Sequence, residues 1–585
     1  MGVNYIISML FLFIAFLLYK KKDNSISIIS SIIFNICLLF CYNTLVVCFF
    51  SFIKLGGSIL YYSIFNYIIS IILLLISLKR KKIQNYYLDK KELLLSFVVL
   101  LTVVIIVLLR FDNFNSLRYA TDDPAIHYKT SVMFSKRLEI LNKNNSKDII
   151  HGDFSRGLPI FYINCGTLFY LFSNVSLYKL FMIFDSFCLI LYSLLFLNTL
   201  FNFKKKKNYL YLYVMTMLYT LSYPLNNLIF GFCYLGLGVM VINLLIYFIN
   251  DNKKELNKNI IFNLIILFIL NYSMFFSYYL FMPPIYLSMG LYYIYLYRHK
   301  RLKYNQFLLY GIITLIIPFI IGVIYFIIPS FMKSSAGVFG YVGLKGFIYN
   351  NAAPIVLFII IFNYLIRYFF ENRNKINYFM INFYIFTIYV LIFLLLYIFK
   401  ISQLYYFYKL FYPYYLFVFI FIFVKLFKKR YYIYYFMVIA LIFLFTVSFY
   451  PHSNCGKIIK KLSIYGYNGL GFIKNSIIFS KGELEIVDNV SKYKKLCERN
   501  HEFLIVGSST KNVWFYEFTG SIPIYNHLDY NREQLYYPST TLYWWNNLNN
   551  SDCVVYFYEN EKVNLVKDKY EILFENKYGA ILKKK

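Results

Sequence analysis

FDNFNSLRYATDDPAIHYKTSVMFSKRLEILNKNNSKDIIHGD, residues 111–153, is a polar interruption in a chain that is apolar on both sides of it. Asp122, Asp123, His127, Glu139, His151 and Asp153 all fall inside, although the whole chain has only 27 acidic residues in 585. Random composition does not gather acids in this way. A loop rich in carboxylates and imidazoles beside long apolar helices is where membrane proteins keep a general base or metal ligands.

Working outward, the flanks decide the class. Hydrophobic residues make up 60% of the chain and the mean hydropathy is +0.58, more apolar surface than a soluble protein of this size buries. Apolar runs of about 17–25 residues, the length that spans a bilayer, recur from Val3 to Tyr450. They predict a polytopic α-helical membrane protein with about fourteen transmembrane helices. The spans fall near 3–19, 25–50, 58–78, 93–110, 177–202, 208–224, 230–250, 260–277, 279–297, 306–329, 354–370, 377–399, 411–425 and 431–450. The first lacks a basic leader and a small-residue cleavage site, so it reads as an anchor.

The net charge of +32 has a topological explanation. Basic clusters at 20–23, 79–82, 204–207, 252–258, 298–303, 367–375 and 425–430 sit in short loops between spans. The positive-inside rule makes these cytoplasmic, and they do not form a nucleic-acid face. The acidic loop, taken as 111–157, and both termini then lie outside the cell membrane. Residues 158–172 are apolar but too few to cross comfortably. If they crossed, KKKK at 204–207 would face outward, so a half-inserted or re-entrant helix fits better than a fifteenth span.

Past the last span the pattern changes. Residues 451–585 bring turn signals and the strand-like runs EFLIVGSS (502–509), CVVYFYEN (553–560), YEILFE (570–575) and YGAILKKK (578–585). They predict an extracytoplasmic α/β domain. Its three cysteines, Cys455, Cys497 and Cys553, allow at most one disulfide and leave one thiol over.

Inside the loop, DDPAIHY reads as a helix start, with Asp122 or Asp123 as its cap and Pro124 in its first turn. His127 follows Asp123 by one turn. Two acids and an imidazole at this spacing serve equally as a cap, as a general base, or, with His151 and Asp153, as ligands for a divalent metal ion. HGDFSRGLPIFY then sets His151, Asp153 and Arg156 just before the short apolar helix.

A large outer loop bearing acids, followed by a short helix opening on Leu158-Pro159, resembles the GT-C glycosyltransferases, from about residue 93 to 585. The resemblance implies a catalytic region at 93–450, preceded by extra transmembrane helices at 1–92 and followed by the outer domain. It also implies transfer of a sugar, with inversion, from a polyprenyl-phosphate donor to an extracytoplasmic glycan, lipid or cell-wall polymer. Asp122 or Asp123 matches that group's general base or metal ligand, and Asp153 its second acid. The chain lacks a clean Asp-Glu pair, a WWDYG-like run and a Pro-Pro step.

A phosphate leaving group calls for a cation at the outer boundary. Lys400 and Lys409, in KISQLYYFYKLFY (400–412) between two spans, are candidates, with snorkelling to the interface as the alternative for Lys409. Arg118 and Arg156 compete for the role. Asp185, inside a span, is expected to line a lipid or acceptor groove or to pair with Lys179. Two other classes share part of this pattern. A polysaccharide polymerase or ligase would bring arginine-rich outer loops, and a flippase or transporter of lipid-linked sugars would place buried charges along a central path.

Overall fold

A computed structural model describes residues 2–19, 25–53, 55–79, 83–119, 123–138, 159–203, 208–252, 256–257, 259–324, 353–372, 377–401, 404–423, 477–497, 504–506, 509–519, 552–558 and 569–585. Helices dominate. They are α1 Gly2–Leu18, α2 Ile28–Phe52, α3 Ile59–Lys79, α4 Lys90–Phe111, α5 Asp123–Arg137, α6 Pro159–Leu171, α7 Leu177–Phe203, α8 Tyr209–Thr220 and α9 Tyr223–Phe230. There follow α10 Cys233–Asn252, α11 Ile260–Phe275, α12 Met282–Arg298, α13 Tyr304–Gly322, α14 Ala353–Asn372, α15 Tyr378–Ile398 and α16 Leu404–Phe421.

Among the described residues seven helices, α2, α3, α4, α7, α10, α13 and α15, are long and apolar enough to cross a membrane. Their outward faces agree with this. On α4, Leu94, Phe97, Leu101 and Ile105 repeat at helical spacing and are about half exposed, a stripe that needs lipid as its solvent. The chain is a helical membrane protein. Local chemistry sets the helix ends: Asp89 caps α4 by accepting from the Lys91 and Glu92 amides at 3.0 and 3.3 Å, and Asn377 caps α15 by accepting from Met380 at 2.9 Å.

Polar ties hold the bundle where lipid offers no hydrogen bonds. Glu92 is buried and accepts from the hydroxyls of Ser27 and Ser30, each at 2.7 Å, which joins α4 to the start of α2. Tyr5 on α1 donates to Asn43 on α2, whose amide donates to Asn164 Oδ1 on α6 at 3.0 Å. Asn164 in turn donates to Thr44 Oγ1 at 3.2 Å.

One expectation about the spans changes. The stretch 208–224 is not one helix: α8 stops at Thr220 and α9 begins at Tyr223, with Pro224 in its first turn and every residue buried. The expected span 431–450 lies outside the described residues, as does the far end of 306–329.

α6 has 13 residues, about 20 Å of helix, short of the roughly 30 Å hydrocarbon core. Its Ile160 amide donates to the Phe276 carbonyl, 2.8 Å away, just past the end of α11. α5 lies against it. A Cβ on Gly166 would come 2.7 Å from the Ser131 carbonyl oxygen, so the two helices touch at backbone distance, which only glycine permits. The carbonyl of Leu138, just past α5, accepts from Gly57 N–H at 3.3 Å and from the Tyr62 hydroxyl. At the other end of α5, Pro124 packs on Gly231. The α2–α3 loop, the α9–α10 junction and the C-terminus of α11 therefore all meet α5 or α6, which lie across one end of the bundle.

A two-residue parallel pair, β1 Ile26–Ser27 with β2 Tyr86–Tyr87, precedes α2 and α4, and the C-terminal residues form a four-stranded sheet of order β3-β4-β6-β5, with β3 Leu504–Val506, β4 Cys553–Phe557, β5 Tyr570–Asn576 and β6 Gly579–Lys584. β3 runs parallel to β4, and β6 is antiparallel to both β4 and β5. Each strand falls within a run expected to be extended. α17 Lys481–Tyr493 opens on a capping box of Ser480 and Glu483, and α18 Ser509–Thr519 follows β3. Cys497 and Cys553 form a disulfide, with Cα atoms 5.8 Å apart. Cys455 lies outside the described residues.

This sheet-and-helix unit meets the end of the bundle that carries α5. The Leu117 amide donates to the Phe479 carbonyl at 2.9 Å and the Leu117 carbonyl accepts from Ile478 at 2.8 Å, a short antiparallel bridge. The Tyr178 hydroxyl at the start of α7 donates to Asp488 on α17 at 3.0 Å.

Candidate functional site

α4 ends at Phe111, and the chain then turns through three successive residues with left-handed backbone, Asp112, Asn113 and Phe114. Such residues cost energy and persist only where the surroundings hold them. The turn sends the chain back over the helix ends. Arg110, in the last turn of α4, is completely buried and its guanidinium donates to the Arg118 carbonyl. Arg118 is itself buried beside it.

Tyr119 comes next and points inward. Its hydroxyl donates to Asp185 on α7 at 2.7 Å. Burial, then the neighbouring Asp185 carboxylate, push the phenol well above its usual pKa, so it remains a donor. Cys233, the first residue of α10, lies beside the same carboxyl. Asp185 therefore takes its hydrogen bond from Tyr119. It does not pair with Lys179, whose charge acts on Asp488. Six residues along a helix also place Lys179 off the Asp185 face.

Lys409 departs furthest from expectation. α16 begins at Leu404, so Lys409 stands inside a helix and not in a connecting loop, and it is only 1% exposed. It does not snorkel. Its ammonium donates to the Tyr234 hydroxyl at 3.0 Å and sits 4.0 Å from the centre of the Phe232 ring. Pro413 lies four residues on and has no N–H, so it cannot make the helix bond that the Lys409 carbonyl would ordinarily accept. Tyr234 also ties Lys409 to α5: the His127 ring lies 5.0 Å from the Tyr234 ring and 5.8 Å from Phe161.

The structure thus brings His127, Lys409, Asp185 and Arg118 to the end of the bundle under α5, linked through Tyr119 and the Phe232–Tyr234 segment. α5 begins at Asp123, one turn ahead of His127. The Asp123 side chain and the whole of Asp122, Glu139, His151, Asp153 and Arg156 lie outside the described residues. Lys400 is not part of the group: it is exposed just past α15, with a left-handed backbone. Among the described residues no three His, Cys, Asp or Glu side chains are grouped to hold a metal ion.

An apolar groove of about 440 Å³ lies between α1, α2, α6 and α7, lined by Met9, Leu39, Phe40, Leu168, Ile183 and Phe187 among others. Asp185 is not on its wall, although its neighbours on α7 are.

Sequence reasoning missed Arg110 and Tyr119; SYPLNNLIFGFCY (222–234), a loop joining two spans that the sequence offers as a wall of the site, holds Phe232 and Tyr234 without singling them out. Gly231 was the available signal for the last two. Its φ of +73° ends α9, and a Cβ there would fall 2.6 and 2.8 Å from Pro124 Cβ and Cδ, and nearer still to Cγ. The chain matches no protein-family model and no curated protein.

Proposed function

We propose that the chain is a membrane glycosyltransferase that moves a sugar, with inversion, from a polyprenyl-phosphate donor to an extracytoplasmic glycan, lipid or cell-wall polymer. One observation carries the reading: the helix that begins at Asp123 is packed through Pro124 onto Gly231, beside a fully buried lysine. A buried ammonium beside the head of α5 is the charge that an anionic donor phosphate would meet there. In this reaction a carboxylate at Asp122 or Asp123 takes the proton of the acceptor hydroxyl as the anomeric carbon loses phosphate. Lys409 neutralises the departing phosphate, with Arg118 or Arg156 as a second cation. His127, one turn behind Asp123, together with His151 and Asp153, is the donor set that would hold a divalent ion if the reaction uses one. The Cys497–Cys553 disulfide supports an outer location for residues 477–585, since such bonds persist in oxidising compartments.

The test uses the purified chain in lipid nanodiscs with a polyprenyl-phosphate hexose as donor. Asp122→Asn and Asp123→Asn keep size and capping ability while removing basicity. Loss of about 10²-fold or more in turnover by one of them, at normal membrane accumulation, is the expected result. Full activity in both single variants and in the double variant overturns the assignment of the base.

A further inference from the structure

The C-terminal unit presents a single stripe of α18 to α5. Trp514, Glu517 and Phe518 stand at i, i+3 and i+4, on one helix face. Trp514 is completely buried and stacks on Tyr119, ring centres 5.5 Å apart and planes within 12°. Phe518 meets the edge of Tyr128 on α5 at 5.0 Å and lies 5.4 Å from Tyr178. Glu517 pairs with Lys129, the next residue of α5, at 3.0 Å.

The first turn of α18 is anchored in its own unit. Lys511 is buried and paired with Glu483, the same carboxylate that accepts from the Ser480 amide at 2.7 Å to cap α17. The Lys511 ammonium also lies 5.3 Å from the Phe557 ring on β4. α18 therefore links its own sheet, through Lys511 in its first turn, to α5 and Tyr119, through Trp514 and Phe518 further along, and Tyr119 leads directly to Asp185.

From this we infer that Trp514, Glu517 and Phe518 are positioning residues: the C-terminal unit fixes where α5, and with it the Asp122–Asp123 step, sits over the bundle. Its consequence for turnover rests on the glycosyltransferase reading; its consequence for α5 does not. A stacked indole and a half-exposed ion pair divide the work. The aromatic face sets the depth of Tyr119, and the pair at Lys129 sets the rotation of α5 about its axis. The Trp514 indole N–H has no hydrogen-bond partner among the described residues, so ring contact alone holds it.

The experiment is amide hydrogen exchange on the full chain in nanodiscs, read at 124–138, at 59–79 as control, and at 553–584 to monitor the sheet. Trp514→Ala is expected to speed exchange in 124–138 about ten-fold or more. Glu517→Lys is expected to speed it about two- to five-fold, and the swap with Lys129→Glu to restore it. With a polyprenyl-phosphate hexose donor, the same variants should lower kcat while leaving the donor KM in place, and the swap should recover kcat. Unchanged exchange in 124–138 for Trp514→Ala with a protected sheet overturns the inference. Should Trp514→Ala expose the sheet, the charge swap decides: failure of the reversed pair to restore exchange refutes it. A wild-type chain that shows no transfer from this donor counts against the enzymatic reading alone, because the exchange data stand without it.

Discussion

Gly231→Ala places a single carbon where the proposed site is tightest. Two costs can be worked out. The φ of +73° is a left-handed backbone, and an L side chain there costs about 1–2 kcal/mol. The added Cβ would also fall 2.6 and 2.8 Å from two carbons of Pro124, well inside ordinary contact, so the ring has to retreat by at least about 1 Å. Overpacking of this kind typically costs about 1–3 kcal/mol. Pro124 is the second residue of α5, so the Asp122–Asp123 step moves with it. A displacement of about 1 Å at a reacting group costs on the order of 10²-fold in rate. The expected outcome is a folded, membrane-inserted variant with a lowered melting temperature, faster exchange at 124–127, and turnover down by about 10²-fold. Gly290→Ala is the control, since the nearest atom to its added Cβ is Leu315 Cδ1 at 3.9 Å. That change sits inside α12 and should stabilise by about 0.5–1 kcal/mol. Unaltered exchange at 124–127 together with full activity in Gly231→Ala would refute the claim that this contact seats the head of α5.

Two further predictions follow from the same site and from the membrane topology. Lys409→Met keeps the volume and removes the buried charge, so stability should hold or rise while affinity for a polyprenyl-phosphate donor weakens by about 10–100-fold; donor binding equal to wild type excludes Lys409 as its phosphate ligand. Single cysteines placed at Asn145 and Asn549 should both react with an impermeant maleimide in intact cells, and labelling of one without the other would show that the acidic loop and the C-terminal unit lie on different sides.

Much of this architecture was legible because lipid imposes a simple pattern. The apolar runs gave α2, α3, α4, α7 and α15 nearly to the residue, and the strand-like runs at 553–560 and 570–585 became β4, β5 and β6. The break between α8 and α9 was signalled by Pro224 and the polar run SYPLNN (222–227), which reads as a loop, yet the chain forms a second helix there with every residue buried in protein. The site was harder. With 64 tyrosines in the chain, nothing distinguishes Tyr119 before its partners are known. Lys409 looked like a boundary residue because a charge inside an apolar helix is usually assigned to the water line. Trp514 was more visible in principle, as one of three tryptophans, but its meaning depends on Tyr119, nearly 400 residues earlier.

The ladder from Tyr5 through Asn43 to Asn164 changes what the first 92 residues are. By length and position they read as an accessory, three helices set before the acidic loop and the rest of the bundle. Yet Asn164 belongs to α6, on which α5 rests, and two of its partners, Asn43 and Thr44, are supplied by α2. A chain begun at residue 93 would leave Asn164 Oδ1 without the Asn43 donor and its Nδ2 with only the Ile160 carbonyl of its own helix, and a group left unmet in hydrocarbon costs several kcal/mol. Such a truncation would not isolate a self-sufficient bundle. It would remove the floor under α6, and the N-terminal helices are better regarded as a keel than as cargo.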